Sequence, residues 1–121
     1  MGGTWQLISG GIERNETAWQ TAIREVREES GLEARELYRL STLTQFYRPD
    51  RDAICIAPMF AAFVDADADV VINPEHSQLA WVPIESAELR LMWPGDKTAL
   101  AEVRSVIIGN GLAKAYMKIP M

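Results

Sequence analysis

The chain has 121 residues, 48% of them hydrophobic and 24% charged, and a formal net charge of −5 at pH 7. That length holds one hydrophobic core and is too short for two, so residues 1–121 are read as a single domain. The acidic balance argues against binding a nucleic acid polymer, which needs a basic patch to displace counterions; no apolar run reaches the length of a membrane span, and the N-terminus lacks a secretion-signal pattern.

Residues 5–8 (Trp5 to Ile8) read as a short strand running into the Ser9-Gly10-Gly11 loop. A helix is predicted next: Thr17 is a good N-cap, Gln20 completes a capping box, and Trp19, Ala22, Ile23 and Val26 recur at helical spacing, to dock on a sheet. Gly31 stands where a terminating glycine belongs. Residues 36–47 predict a long strand and 47–52 a polar turn, with a second, more buried strand over 53–64. Pro58 within it implies an edge or a bulge. Cys55, the lone cysteine, falls in the same apolar run; it cannot form an intrachain disulfide, is expected to be buried, and suits a reducing compartment, the cytoplasm. Short strands are expected over 70–72 and 79–82, and a helical turn near 85–91. Asp96 is expected to cap a last long helix with Leu100, Val103 and Ile107 on one face, ending near Gly109-Asn110-Gly111. The pattern is that of one α+β domain.

The chemistry concentrates on the first predicted helix. Glu25, Glu28 and Glu29 stand at i, i+3 and i+4, on one stripe beside the apolar one. Like charges at i, i+4 cost a helix about 0.2–0.5 kcal/mol per pair, and acidic groups in its last turn oppose the macrodipole by roughly 0.3–1 kcal/mol each. A divalent cation among the carboxylates would remove both costs. Oxygen ligands of this kind suit Mg²⁺, or Mn²⁺, rather than zinc.

Gly10, five residues, Glu16, seven residues, then Arg24-Glu25-Val26-Arg27-Glu28-Glu29-Ser30-Gly31-Leu32 resembles the Nudix box, G-x5-E-x7-R-E-U-x-E-E-x-G-U with U a bulky aliphatic residue, at every defined position. Outside the box, Trp5-Gln6-Leu7, the apolar strand 53–64 and Glu75-His76 followed by Leu79-Ala80-Trp81-Val82 look like nucleoside triphosphate pyrophosphohydrolases of that family. The resemblance implies an α/β/α sandwich with a mixed sheet, the box helix on one face and a C-terminal helix. It also implies Mg²⁺-dependent hydrolysis of a phosphoanhydride bond in a (deoxy)nucleoside triphosphate, giving monophosphate and pyrophosphate. Glu25, Glu28 and Glu29 are then implied to hold the metal, one of them also serving as base, and Arg24 to orient the neighbouring carboxylates. Gly10, Glu16 and Gly31 brace the loop and helix. The resemblance also implies the Ser9 carbonyl as a candidate further metal ligand, where the family usually has glycine, and Arg14-Asn15 replaces a common Pro-Gly. Glu75 corresponds to a further carboxylate near the metal.

Other positions follow from residue type. Arg48 and Arg51, flanking Pro49 in the inter-strand turn, are candidate phosphate contacts. His76 is read as structural or half exposed, Trp81 as core, and Trp93 either as closing a core edge or as stacking on a base. Only nine residues precede Gly10, fewer than such proteins usually carry; either the chain does without those strands or a partner subunit completes the sheet, and a homodimer is expected. The alternatives are a hydrolase of linked nucleoside diphosphates, such as ADP-ribose, nucleotide sugars or dinucleoside polyphosphates, and a non-catalytic nucleotide-binding module. Such a module would be expected to lose box glutamates, and all are kept here.

Overall fold

Helix α1 (Ala18–Ser30) starts and stops where its local chemistry dictates. Gln20 N–H donates to Thr17 Oγ1 at 3.3 Å while Thr17 N–H donates to Gln20 Oε1 at 2.9 Å, the reciprocal capping box. At the other end Gly31 takes φ 73, a left-handed conformation that glycine adopts without strain, and its N–H closes on Arg27 O at 2.8 Å. The computed structural model describes residues 15–65, 84–91 and 93–121. The expected strands over 5–8, 70–72 and 79–82, the candidates Ser9, Gly10 and Glu75, and His76 and Trp81 lie outside them.

After α1 comes an antiparallel hairpin, β1 (Glu36–Arg48) with β2 (Ala53–Phe63). Its register shifts between Arg39 and Leu43: Leu40, Ser41 and Thr42 lie opposite the single residue Met59, next to the Leu43–Pro58 pair. Pro58 has no N–H to offer the ladder, so an irregularity beside it is expected. The amides freed by the bulge are taken up by Glu102, whose carboxylate accepts from Ser41 N at 2.6 Å, Thr42 N at 2.8 Å and Thr42 Oγ1 at 2.7 Å.

Helix α2 (Ile84–Arg90) is the predicted turn near 85–91, and Ala87 packs with Leu100. Helix α3 (Pro94–Glu102) runs on into a π-helical segment, Val103–Ile108, marked by the i to i−5 bond from Gly109 N to Arg104 O at 3.1 Å. A short α4 (Lys114–Met117) follows, after which Ile119 N donates to Leu37 O at 2.8 Å, laying the C-terminal residues along β1. Tyr38, Leu40 and Ala61 of the hairpin form the core with Ala99, Val103, Ile107 and Met117. Leu37 and Tyr38 are consecutive on β1, hence point to opposite faces, and both are buried. This end of the hairpin is therefore covered on both sides, the layering of an α/β/α sandwich. The described strands are antiparallel, and the expectation of a mixed sheet concerns strands that lie outside the described residues.

Several expectations are corrected. Strand β2 is not the more buried one: Ile54 is 71% and Ile56 63% exposed, and Cys55 is half-buried. The helices reach only the bulge, and beyond it the twisted hairpin projects without cover among the described residues. Asp96 is in the first turn of α3 and not its cap; Trp93 precedes the helix and Pro94 occupies N1, where its fixed φ and missing N–H suit a helix start. Trp93 is 63% exposed and closes no core edge. On α1 the fully buried residues are Thr21, Glu29 and Ser30, whereas Trp19, Ala22, Ile23 and Val26 are only half-buried. Thr21 and Glu29 belong to the polar stripe and Ser30 to the apolar one, so both faces of the helix are covered in part. Among the described residues, no helix is long and apolar enough to cross a membrane.

Candidate active site

The polar stripe of α1 is organised around one guanidinium. Arg24 Nε donates to Glu16 Oε2 at 2.8 Å and its Nη2 to Glu16 Oε1 at 3.1 Å, a two-pronged pairing with the residue just ahead of the helix. The remaining nitrogen, Nη1, donates to Glu25 Oε1 at 2.8 Å and Glu28 Oε2 at 3.0 Å. Four ionised side chains from positions 16 to 28 thus form one cluster. It offsets much of the like-charge repulsion that sequence spacing assigns to the helix, and Arg27 in the last turn offsets part of the macrodipole cost. Glu25 is 12% and Glu28 52% exposed as side chains, so the cluster grades from buried to open. Glu29, on the same stripe, is 8% exposed.

The local backbone is arranged to bring Glu16 to Arg24. Asn15 takes φ 67, a left-handed turn that asparagine tolerates better than most side chains. Thr21 Oγ1 then donates to Glu16 Oε1 at 2.7 Å, from a side chain with 6% exposure. That contact was not foreseen. Its signal in the sequence is that Thr21, Arg24, Glu25 and Glu28 fall at i, i+3, i+4 and i+7, one continuous polar stripe.

Among the described residues, no three carboxylate, imidazole or thiol groups already converge as a cage for a cation. The donor chemistry nevertheless fits a hard divalent ion, because Glu25 and Glu28 each place an oxygen within 3.0 Å of the same Arg24 nitrogen. These two carboxylates already share a cationic partner. Glu25, Glu28 and Glu29 are thus the residues that could hold Mg²⁺ or Mn²⁺. The other candidates are elsewhere: Arg48 and Arg51 are at the hairpin tip, with Arg48 Nη2 donating to Asp50 Oδ2 at 2.9 Å, and the structure does not bring them to the glutamate cluster. Strand β1 puts Arg48 about 40 Å along the chain from Glu36.

The family pattern for the NUDIX domain matches residues 1–103. The chain is 35% identical over 109 residues to a Mycobacterium tuberculosis protein named as mutator protein MutT4, covering 86% of this chain and 42% of that protein. It is 37% identical over 82 residues to an M. tuberculosis protein named as 8-oxo-dGTP diphosphatase 3, covering 67% and 38% respectively. A further match, 32% over 101 residues, takes in 27% of a Myxococcus xanthus octanoyltransferase. In structure it resembles a Listeria monocytogenes protein assigned to the Nudix hydrolases, with a TM-score of 0.71, 30% identity, and coverage of 89% of this chain and 78% of that one. The chain belongs to the Nudix family, and its α+β fold is that of this family. It spans less than half the length of the curated relatives it matches.

Proposed function

We propose that this domain is a Mg²⁺-dependent hydrolase that cuts a phosphoanhydride bond in a (deoxy)nucleoside triphosphate, releasing monophosphate and pyrophosphate. The observation that carries this is the Arg24 cluster: one guanidinium fixes Glu25 and Glu28 side by side while its other edge is held by Glu16. A site that hydrolyses phosphoanhydrides needs carboxylates held in place before the substrate arrives, since positioning and electrostatics supply most of the rate. When bound, the metal supplies a lowered pKa for attacking water and charge neutralisation at the phosphate oxygens. Glu25, Glu28 and Glu29 would hold it, and one of them would accept the proton of the attacking water. Arg24 keeps the carboxylates aimed and, by its own charge, lets an anionic substrate approach an acidic helix. Glu75 and the Ser9 carbonyl complete the proposed ligand set.

The choice of a triphosphate is supported by the relative named for diphosphatase action on 8-oxo-dGTP. A homodimer is proposed as well, supported by an apolar hairpin face on which Tyr47, Ile54 and Ile56 are 57%, 71% and 63% exposed.

Product analysis tests the reaction. With Mg²⁺, a panel of nucleoside triphosphates is expected to give pyrophosphate and monophosphate, and EDTA to abolish the products. Two phosphate-bearing halves from ADP-ribose or nucleotide sugars, with triphosphates left intact, would replace this reading with the linked-diphosphate one.

A further inference from the structure

We infer that Thr21 is a positioning residue of the glutamate cluster, acting through Glu16 and Arg24 on the carboxylates that hold the metal. The inference rests on the proposed metal-dependent reading of the site. Thr21 occupies one of the seven undefined positions between Glu16 and Arg24 in the box, so nothing in the box pattern requires a hydroxyl there.

A threonine within a helix has a ready structural use, bonding back to the carbonyl four residues earlier, and Thr21 Oγ1 does lie 3.0 Å from Thr17 O. The hydroxyl has a single proton, however, and two acceptors compete for it. Thr17 O already accepts from Thr21 N at 2.9 Å, whereas Glu16 Oε1 is an ionised oxygen at only 2.7 Å. Charge-assisted bonds of that length are about twice as strong as neutral ones, so the proton goes to Glu16.

The consequence travels along a defined series of contacts. Glu16 Oε1 is held from one side by Thr21 and from the other by Arg24 Nη2, and Oε2 by Arg24 Nε. That fixes the plane of the Glu16 carboxylate and, through the two-pronged pairing, the plane of the guanidinium. The position of Nη1 between Glu25 and Glu28 is then set by the rest of the group. Without the hydroxyl, a largely buried carboxylate loses a donor, and its rotation carries Arg24 with it. Partners that orient metal ligands from behind typically change metal affinity by about 10–100-fold when removed.

The test is Mn²⁺ binding to the substrate-free protein, read from the electron paramagnetic resonance of the free ion, for wild type, Thr21→Val and Thr21→Ser. Melting temperatures are measured alongside. Valine keeps the shape and loses the hydroxyl; serine keeps the hydroxyl and loses the methyl. The expected result is Mn²⁺ affinity about 10-fold weaker in Thr21→Val and near wild type in Thr21→Ser. In turnover, the Mg²⁺ concentration for half-maximal rate should rise in Thr21→Val while the KM for nucleotide stays put. If the valine variant does not fold, Thr21→Ala takes its place in the same comparison. Equal Mn²⁺ affinity in wild type and the hydroxyl-free variant overturns the inference, as does equal weakening in the serine variant, which would assign the effect to the methyl group. Wild type that binds no Mn²⁺ overturns the metal reading itself, an outcome distinct from both.

Discussion

Arg24 makes four bonds with three different carboxylates, and the geometry of those bonds explains why a lysine could not replace it. An ammonium is a point charge that can meet one or two of these oxygens but cannot present one edge to Glu16 and another to Glu25 and Glu28. Arg24→Lys is therefore expected to lower kcat about 10–100-fold with little change in nucleotide KM, as measured by steady-state pyrophosphate release. Equal activity would mean that the guanidinium serves only the fold. At this scale the grouping of Glu16, Arg24, Glu25 and Glu28 was legible, because it is tied to residue type at fixed spacing. For Thr21 the stripe alone did not select a role, because a hydroxyl on a helix has many ordinary uses and only the position of Glu16 decides among them.

The elements were legible at their ends and not in their irregularities. Thr17, Gln20 and Gly31 bound α1 through contacts within four residues, which a sequence displays directly. Thr17→Ala is expected to cost about 1 kcal/mol of stability in a urea melt, through loss of the cap. The bulge in β1 and the π-helical segment after α3 could not be read the same way, since the acceptor for the bulge amides is Glu102, 61 residues along the chain from Ser41. Burial pushes the Glu102 carboxyl up, but the Ser41 and Thr42 donors outweigh it and hold the group below its usual value of 4.5. A carboxyl with a lowered folded pKa binds fewer protons folded than unfolded. Its contribution is thus present above the ordinary carboxylate value and is lost as pH falls through the lowered one. Glu102→Gln is expected to be about 1–2 kcal/mol less stable than wild type at neutral pH, with the gap closing as the pH drops below 4.5. A gap that is constant with pH would show that the charge on Glu102 contributes nothing to the contact.

At the scale of the molecule, the described helices pack on the end of the hairpin that holds Tyr38, Leu40 and Ala61, and the residues of its other end are exposed. Leu37 and Ile107 are fully buried, while Phe46, Tyr47, Ile54 and Ile56 past the bulge are more than half exposed. The sequence pattern of β2, an apolar run, reads as burial; what it could not convey is how far along the hairpin its cover extends, since that depends on the placement of α3 against β1. Exposed apolar surface of this kind is a common site of association. If the proposed homodimer uses it, Ile54→Glu should sediment as a monomer where wild type sediments at twice the chain mass. A wild-type monomer at micromolar concentration would refute the dimer.

In the proposed reaction, carboxylates aligned by Arg24 hold the metal that drives phosphoanhydride cleavage. The most direct measurement is Mg²⁺-dependent pyrophosphate release from the best triphosphate substrate, for wild type and Glu28→Gln at matched protein folding. The expected result is release from wild type that is abolished by EDTA and reduced at least about 10²-fold in Glu28→Gln. Undiminished release from Glu28→Gln, or release from wild type that survives EDTA, would contradict it.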